Sequence, residues 1–324
     1  MALRNITIPG TELEASSISL GGVPFGSMLD EAASFRLMDA YAELGGNLID
    51  TAEVYANWLP GEPSASERTI GKWMKSRGCR SRMIVTTKGA HPRLSAMQAG
   101  RLSPADIAGD VEDSLRRLQV DTIDLYWLHR DDASRSVADI VEALAEQARK
   151  GNIRYYGCSN WTLERLQAAQ AYAAVRGLPG FCANQPMWSL AAADPSKLED
   201  PTLVVMDEAT RAYHRTAGLA AIPYSSQAQG LFEKLASGAL SLDGDGVKPL
   251  YRSETNRERL ARVRRLAAER SLAPTQVALG YLLSQPFPTI PIVGCRTPEQ
   301  LYACAAADGV AFSEAELSYL EHGA

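Results

Sequence analysis

The chain predicts an α/β fold, a closed (β/α)₈ TIM barrel that uses residues 1–324 as a single domain. Three observations carry this expectation. Eight short apolar runs alternate with helix-like segments along the 324 residues, the order that builds a parallel sheet wrapped by helices. Three of those runs end in side chains able to hold or steer a proton, and barrels of this kind place their chemistry at the C-terminal strand ends. The length suits one barrel, and no Pro/Gly/Ser-rich linker or internal repeat divides it.

After an N-terminal segment read as a hairpin, residues 17–21 form the first strand and residues 31–44 the first helix. Gly45-Gly46 then turns the chain, because glycine tolerates the left-handed backbone that ends helices. The second strand is Gly46-Asn47-Leu48-Ile49-Asp50, followed by Tyr55 and by a helix over residues 66–74. The third is residues 83–88, ending in Lys88. Ser103-Pro104-Ala105-Asp106 opens the next helix: serine caps, proline fits the first turn, and aspartate favours the positive end. The fourth strand, residues 123–129, ends in His129. Strands five to eight are residues 152–157, 180–184, 219–223 and 289–293, with helices over 137–150, 162–175 and 206–216. Two stretches, Gly89 to Leu102 and Phe232 to Thr255, read as excursions on the catalytic face, where long loops commonly carry function.

Composition narrows the function classes. A formal net charge of -5 lacks the basic footprint of a nucleic-acid binder, and the densest basic run, Arg257 to Arg265, reads as a solvated helix face. Five cysteines without a Cys-x-x-Cys pair fit free thiols, with Cys158 and Cys182 in the core. Four scattered histidines give no zinc spacing, so no metal is expected. Neither a signal peptide nor a membrane span is legible, so the expectation is a cytoplasmic protein with no membrane and no nucleic-acid partner. The oligomeric state stays open.

Asp50, Tyr55, Lys88 and His129 should meet at one end of the barrel. A phenol has a pKa of about 10, so it is a poor proton donor near neutrality. A lysine ammonium about 4 Å away, at an effective dielectric near 20, offers roughly 4 kcal/mol. That is enough to lower the phenol pKa by up to about three. Asp50 would hold Lys88 charged, and His129 would direct a carbonyl oxygen toward Tyr55. The set suits alcohol/carbonyl interconversion.

At this point the chain resembles the aldo-keto reductase superfamily over nearly its whole length. Asn47-Leu48-Ile49-Asp50-Thr51-Ala52-Glu53-Val54-Tyr55, with Ser66-Glu67 and Gly71 after it, is similar to the family's Asp/Tyr signature; Thr87-Lys88 and Leu128-His129 match its Lys and His positions. The resemblance implies Tyr55 as general acid/base, Lys88 as its modulator, Asp50 as partner of Lys88, and His129 as substrate orienter. It further implies that Ser159, Asn160 and Gln185 hold a nicotinamide carboxamide and that Tyr224 stacks on its ring. Ser225 to Gly230, with Ser225, Gln227 and Gly230 as contacts, would run beside the pyrophosphate. Gly294, Arg296 and Gln300 lie at the start of the last barrel helix, where Thr297 with Gln300 resembles a capping box. A helix start there favours phosphate. Arg296 suits an adenosine 2′-phosphate, which favours NADPH (NADP) over NADH.

The chain departs from the family pattern at Cys304, where many members have an asparagine, and at Ser226, where proline is usual. Trp58, Trp127, Trp188 and the Gly89–Leu102 excursion are candidates for shaping the substrate pocket. The expected activity is NADPH-dependent reduction of a small-molecule aldehyde or ketone, a sugar carbonyl among them. Two alternatives stand beside it: a redox-sensing auxiliary subunit that binds the cofactor and acts through a partner, and an aldolase in which Lys88 forms a Schiff base.

Overall fold

A computed structural model of the chain describes residues 2–323. It opens with an antiparallel hairpin, β1 (Asn5–Thr7) against β2 (Glu14–Ser16). Eight parallel strands follow: β3 (Ser19–Gly21), β4 (Leu48–Asp50), β5 (Ile84–Gly89), β6 (Ile123–Leu128), β7 (Ile153–Ser159), β8 (Ala183–Gln185), β9 (Ala220–Ala221) and β10 (Ile292–Val293). They lie in the order β10-β3-β4-β5-β6-β7-β8-β9. The two edges also meet: Ile290 N donates to Ala221 O at 2.9 Å and Ile292 N to Pro223 O at 3.0 Å. The sheet is therefore a (β/α)₈ barrel.

The strands connect through α1 (Glu31–Glu43), α2 (Ala65–Arg77), α3 (Pro104–Leu118), α4 (Val137–Arg149), α5 (Leu163–Arg176) and α6 (Glu208–Ala217). Between β9 and β10 stand α7 (Leu231–Ala236), α8 (Glu254–Arg270) and α9 (Pro274–Leu283); α10 (Pro298–Ala305) and α11 (Glu314–His322) finish the chain. Ser103, Ser136, Thr162 and Ser253 each accept from the backbone amide three residues on, satisfying a donor the helix start leaves free. Gly78, Gly177 and Gly218 close α2, α5 and α6 in the left-handed conformation.

Strand alternation divides the core in two. Leu48, Ile84, Leu125, Trp127, Ala183, Ala220, Ile290 and Ile292 point into the barrel, where Ile8 and Leu13 of the hairpin join them. Their chain neighbours Ile49, Val85, Tyr126, Leu128, Cys158 and Val293 pack outward against the helices. Gly157 belongs to the inner set for a steric reason. A Cβ there would sit 2.5 Å from the Trp127 ring and 2.6 Å from Ala183 O, so only glycine admits the indole.

Several element bounds differ from the sequence reading. The last two strands are shorter, because Pro223, Pro288 and Pro291 have no N–H for a regular ladder. The Phe232 to Thr255 stretch is not wholly a loop, since α7 occupies its start. The run Arg257 to Arg265 lies on α8 and is only partly solvated. Arg259 donates to Leu190 O at 2.6 Å, Arg264 to Leu235 O at 2.9 Å and Arg262 to Glu321 O at 3.0 Å. Among the described residues, no helix is long and apolar enough to cross a membrane.

Candidate active site

The inward parity of each strand continues past its apolar layers into polar side chains. Leu48 leads to Asp50, Ile84 through Thr86 to Lys88, and Trp127 to His129. Gly157 leads to Ser159, Ala183 to Gln185, and Ile222 to Tyr224. The register aligns Asp50 with Thr86, Lys88 with Trp127, and Ser159 with Gln185. Alternation thus makes these residues the top layer of the barrel interior.

Lys88 is 1% exposed, and its ammonium spends all three donors within this layer. It donates to Asp50 Oδ2 at 2.6 Å, to Thr51 O at 2.8 Å and to the Tyr55 phenol oxygen at 2.9 Å. The other Asp50 oxygen accepts from Gln185 Nε2 at 2.9 Å and Thr86 Oγ1 at 3.2 Å. Tyr55 reaches this layer from the turn after β4. There Glu53 N donates to Lys88 O at 3.0 Å, and Asn57 Oδ1 accepts from Ser64 N at 2.6 Å. The Lys88 ammonium also lies 4.7 Å from the centre of the Tyr55 ring. Among the signature residues, Ser66 Oγ donates to Gly22 O at 2.7 Å and buried Glu67 pairs with Arg117 at 2.5 Å, so both hold the scaffold.

His129 stands edge-on to Tyr55, with ring centres 5.9 Å apart. Its Nδ1 is sealed from solvent and has no partner. Burial, then Arg130, His91 and Lys88, hold the imidazole far below the ordinary histidine range, so it is neutral near pH 7. For Tyr55 the structure reverses the expected direction. Burial lifts the phenol above its ordinary value; Lys88 pulls it down, but Asp50 pushes it up again. Lys88 itself is held above its ordinary value. Burial opposes its charge, yet Asp50 and Tyr55 outweigh that penalty.

Two residues that the sequence reading did not single out complete the site. His91 is buried in the loop after β5, with its ring centre 4.7 Å from that of His129. It is a second histidine beside the first, which chain spacing hid. Arg130 donates to His129 O at 2.9 Å, to Thr202 Oγ1 at 2.8 Å and to Asp200 Oδ2 at 3.1 Å, tying the loop after β8 to the end of β6. The only available signal for Arg130 was its place next to His129. Among the described residues, no three His, Cys, Asp or Glu side chains are grouped to hold a metal.

The amides and hydroxyls beside this relay suit a carboxamide. Ser159 Oγ donates to Gln185 O at 2.8 Å and accepts from Asn160 Nδ2 at 3.1 Å. Asn160, in the left-handed region at φ 61°, also donates to His129 O at 3.1 Å. Its Oδ1 accepts from the Tyr224 phenol at 2.6 Å and from Val204 N at 3.2 Å. These amide and hydroxyl groups are paired with one another, so a carboxamide bound here would have to exchange some of these bonds for its own. Ser225, Ala228, Gln229 and Gly230 all have positive φ, between 47° and 76°, which curls this loop tightly. Ser226 Oγ ties the loop to Ile292 O at 2.5 Å, and Gln227 Nε2 reaches Cys304 Sγ at 3.0 Å.

The departures from the family pattern thus become contacts between the loop and the Gly294–Gln300 segment. Gly294 and Arg296 are exposed, and Gln300 Oε1 accepts from Arg296 N at 2.8 Å. Thr297 caps α10, but Gln300 reaches back to Arg296 and not to Thr297, so the capping box is displaced by one residue. Among the described residues the Arg296 guanidinium has no carboxylate partner, and its one side-chain hydrogen bond is to Met28 Sδ at 3.7 Å. An exposed cation without a counter-ion fits a phosphate.

Of the three tryptophans expected to shape the pocket, only Trp58 lies at the mouth, half exposed and edge-on to Tyr55 at 6.5 Å. Trp127 fills the barrel interior, and Trp188 stacks on Phe287 at 5.9 Å.

The sequence profile described as "Aldo/keto reductase family" matches residues 17–322. The chain is 30% identical to aldo-keto reductase ausK of Aspergillus calidoustus, covering 98% of this chain and 80% of that protein. It is 30% identical to an aryl-alcohol dehydrogenase [NADP(+)] of Phanerodontia chrysosporium, over 96% and 83%. To norsolorinic acid reductase stcV of Emericella nidulans it is 27% identical, over 99% and 81%.

Proposed function

This chain belongs to the aldo/keto reductase family and is an NAD(P)H-dependent reductase; from that premise we propose that it reduces an aldehyde or ketone using NADPH, with Tyr55 as the proton donor. One observation carries the reading: a sealed Lys88 ammonium bridges the Asp50 carboxylate and the Tyr55 phenol beneath a neutral imidazole.

Ser159, Asn160, Gln185 and Tyr224 would hold the nicotinamide end of the dinucleotide. Ser225, Gln227 and Gly230 would hold its pyrophosphate, and Gly294, Arg296 and Gln300 its adenosine phosphate. The bound dinucleotide supplies the hydride. The protein's part is the proton. Lys88 donates to the phenol oxygen, so the phenol's own hydrogen is free to point at a substrate oxygen. As that hydrogen leaves, negative charge grows on an oxygen 2.9 Å from an ammonium already in place, which is preorganised electrostatic stabilisation. Asp50 keeps the ammonium charged and fixed. A His129 N–H toward the mouth would align the carbonyl oxygen with Tyr55.

The rim of the site favours an apolar substrate body. Trp58, Leu59 and Leu94 are exposed large apolar side chains on the turns after β4 and β5, the loops that carry Tyr55 and His91. Relatives bear the names aryl-alcohol dehydrogenase and norsolorinic acid reductase. An aldehyde or ketone with an aryl body fits this mouth better than a fully polar sugar. NADPH oxidation measured with a panel of aryl aldehydes, aliphatic ketones and sugars tests the reading. Measurable NADPH binding with no turnover of any carbonyl would overturn it.

A further inference from the structure

The mouth of the site contains a second imidazole that the proton relay does not use. His91 is 5% exposed, and its Nδ1 lies 2.6 Å from Pro92 O. A carbonyl oxygen can only accept, so the proton of the neutral ring sits on Nδ1 and Nε2 carries a bare lone pair. Burial, then Arg130, hold this histidine below its ordinary value and so keep the ring neutral. Its Nε2 has no partner within the described chain and is not among the sealed polar atoms. His129 has the opposite polarity. Its sealed Nδ1 has no acceptor, and a buried N–H there would forfeit its hydrogen bond outright, so the proton belongs on Nε2. Two imidazoles whose ring centres are 4.7 Å apart therefore offer a donor and an acceptor side by side.

The position of His91 is built into the fold. Ala90 before it adopts φ 57° and donates its N–H to Asp110 Oδ2 at 2.7 Å. Arg101 binds His91 O at 3.1 Å and the other Asp110 oxygen at 2.8 Å. A loop fixed this way presents the ring in one orientation instead of letting it swing with solvent.

We propose that His91 is a substrate-contacting specificity residue, accepting a hydrogen bond from a hydroxyl group on the carbon next to the carbonyl, so that the enzyme favours α-hydroxy aldehydes and ketones. This rests on the reading of the site as a carbonyl reductase. With the carbonyl oxygen held by Tyr55 and His129, a hydroxyl on the next carbon would come within reach of His91, whose ring centre lies 4.7 Å from that of His129. A substrate lacking that hydroxyl leaves the lone pair without a donor.

The test compares α-hydroxyacetophenone with acetophenone, and glyceraldehyde with propanal, under saturating NADPH. Wild-type enzyme should prefer the hydroxylated member of each pair in kcat/KM. His91→Phe should reduce that preference about three- to tenfold, chiefly through KM of the hydroxylated substrate, with NADPH affinity unchanged. His91→Gln, whose amide oxygen restores an acceptor, should recover part of it. Equal losses on both members of a pair would assign His91 to packing alone and overturn the proposal. So would a wild-type preference of one or less, a result that needs no variant to fold. Reduction of 4-nitrobenzaldehyde reads the parent activity separately. If that aldehyde and every other carbonyl go unreduced, the reductase reading fails and this proposal fails with it; if the aldehyde is reduced without any effect of the hydroxyl, only this proposal falls.

Discussion

Lys88→Met separates the two tasks of the buried ammonium. At 2.9 Å from the phenol oxygen, and at an effective dielectric near 20, a unit charge is worth about 6 kcal/mol to a full phenolate. Charge develops only in part at the transition state. A third to a whole of that energy corresponds to between about 30 and 2 × 10⁴ in rate, with the midpoint near 10³. Methionine keeps the unbranched apolar stem and removes only the ammonium, so kcat for carbonyl reduction should fall by that midpoint factor while NADPH affinity, read by quenching of tryptophan fluorescence, changes less than threefold. Stability should fall as well. Asp50 is 2% exposed and would lose its counter-ion; breaking a buried pair from one side costs about 3–5 kcal/mol. Lys88→Met/Asp50→Asn removes both charges and should regain part of that loss in urea melts without regaining activity. Reduction by Lys88→Met within tenfold of wild type, or a double variant no more stable than the single one, would refute the electrostatic account.

Other measurements probe other parts of the site. Arg296→Ala should raise the Kd for NADPH about tenfold, the loss of one charge-assisted hydrogen bond at an exposed position, and leave NADH within twofold; equal losses would remove the case for a 2′-phosphate contact. The pH profile of reduction should be flat from about pH 6 to 8 and decline only on the alkaline side. The phenol, held above its ordinary value of about 10, keeps the proton it must donate, and His129, held well below about 6.5, stays neutral. An acid limb near pH 6.5 in kcat would contradict that assignment. His214, which bonds Leu219 O and Asn184, is pushed down to about 4 by burial. The unfolded chain binds this proton from about pH 6.5 and the folded chain only near 4, so stability is lost as pH falls through that window, by up to about 3 kcal/mol. His214→Gln should flatten the decline of Tm between pH 6.5 and 4 relative to wild type.

The barrel was legible because each parallel strand is covered on both faces and reads as a compact apolar run, Ile123 to Leu128 most plainly. The same two-residue period carried the inference to Lys88 and His129, since each continues the inward set of its strand. Where backbone regularity fails, the sequence misleads. Prolines 223, 288 and 291 shorten the last strands, and the short α7 at the start of the Phe232 to Thr255 excursion spans only 6 residues, too few for a periodic signal. Trp127 looked like a pocket residue, but its alternation with Tyr126 sends it into the barrel. His91 and Arg130 were invisible for a different reason: each matters through a neighbour distant in sequence, and neither residue type in a loop announces that contact. The pKa direction of Tyr55 was also out of reach, because desolvation depends on how completely the surrounding loops seal the phenol.

That reversal changes what the lysine is for. A phenol lowered toward neutrality would be a poised acid in the resting enzyme, with Lys88 setting its resting pKa. Burial instead keeps the Tyr55 proton firmly on the oxygen, and Asp50 offsets part of the lysine's pull. The resting site therefore favours the protonated form that the proposed reduction would consume. On the proposed mechanism Lys88 would act when the proton departs: its three donors are already aligned, and no water need reorganise to meet the growing phenolate. Reaction in the opposite direction must first remove the phenol proton against burial. Alcohol oxidation should accordingly rise with pH over a range where reduction stays level, and a pH-independent oxidation rate between pH 7 and 10 would show that Tyr55 is not the group exchanging the proton.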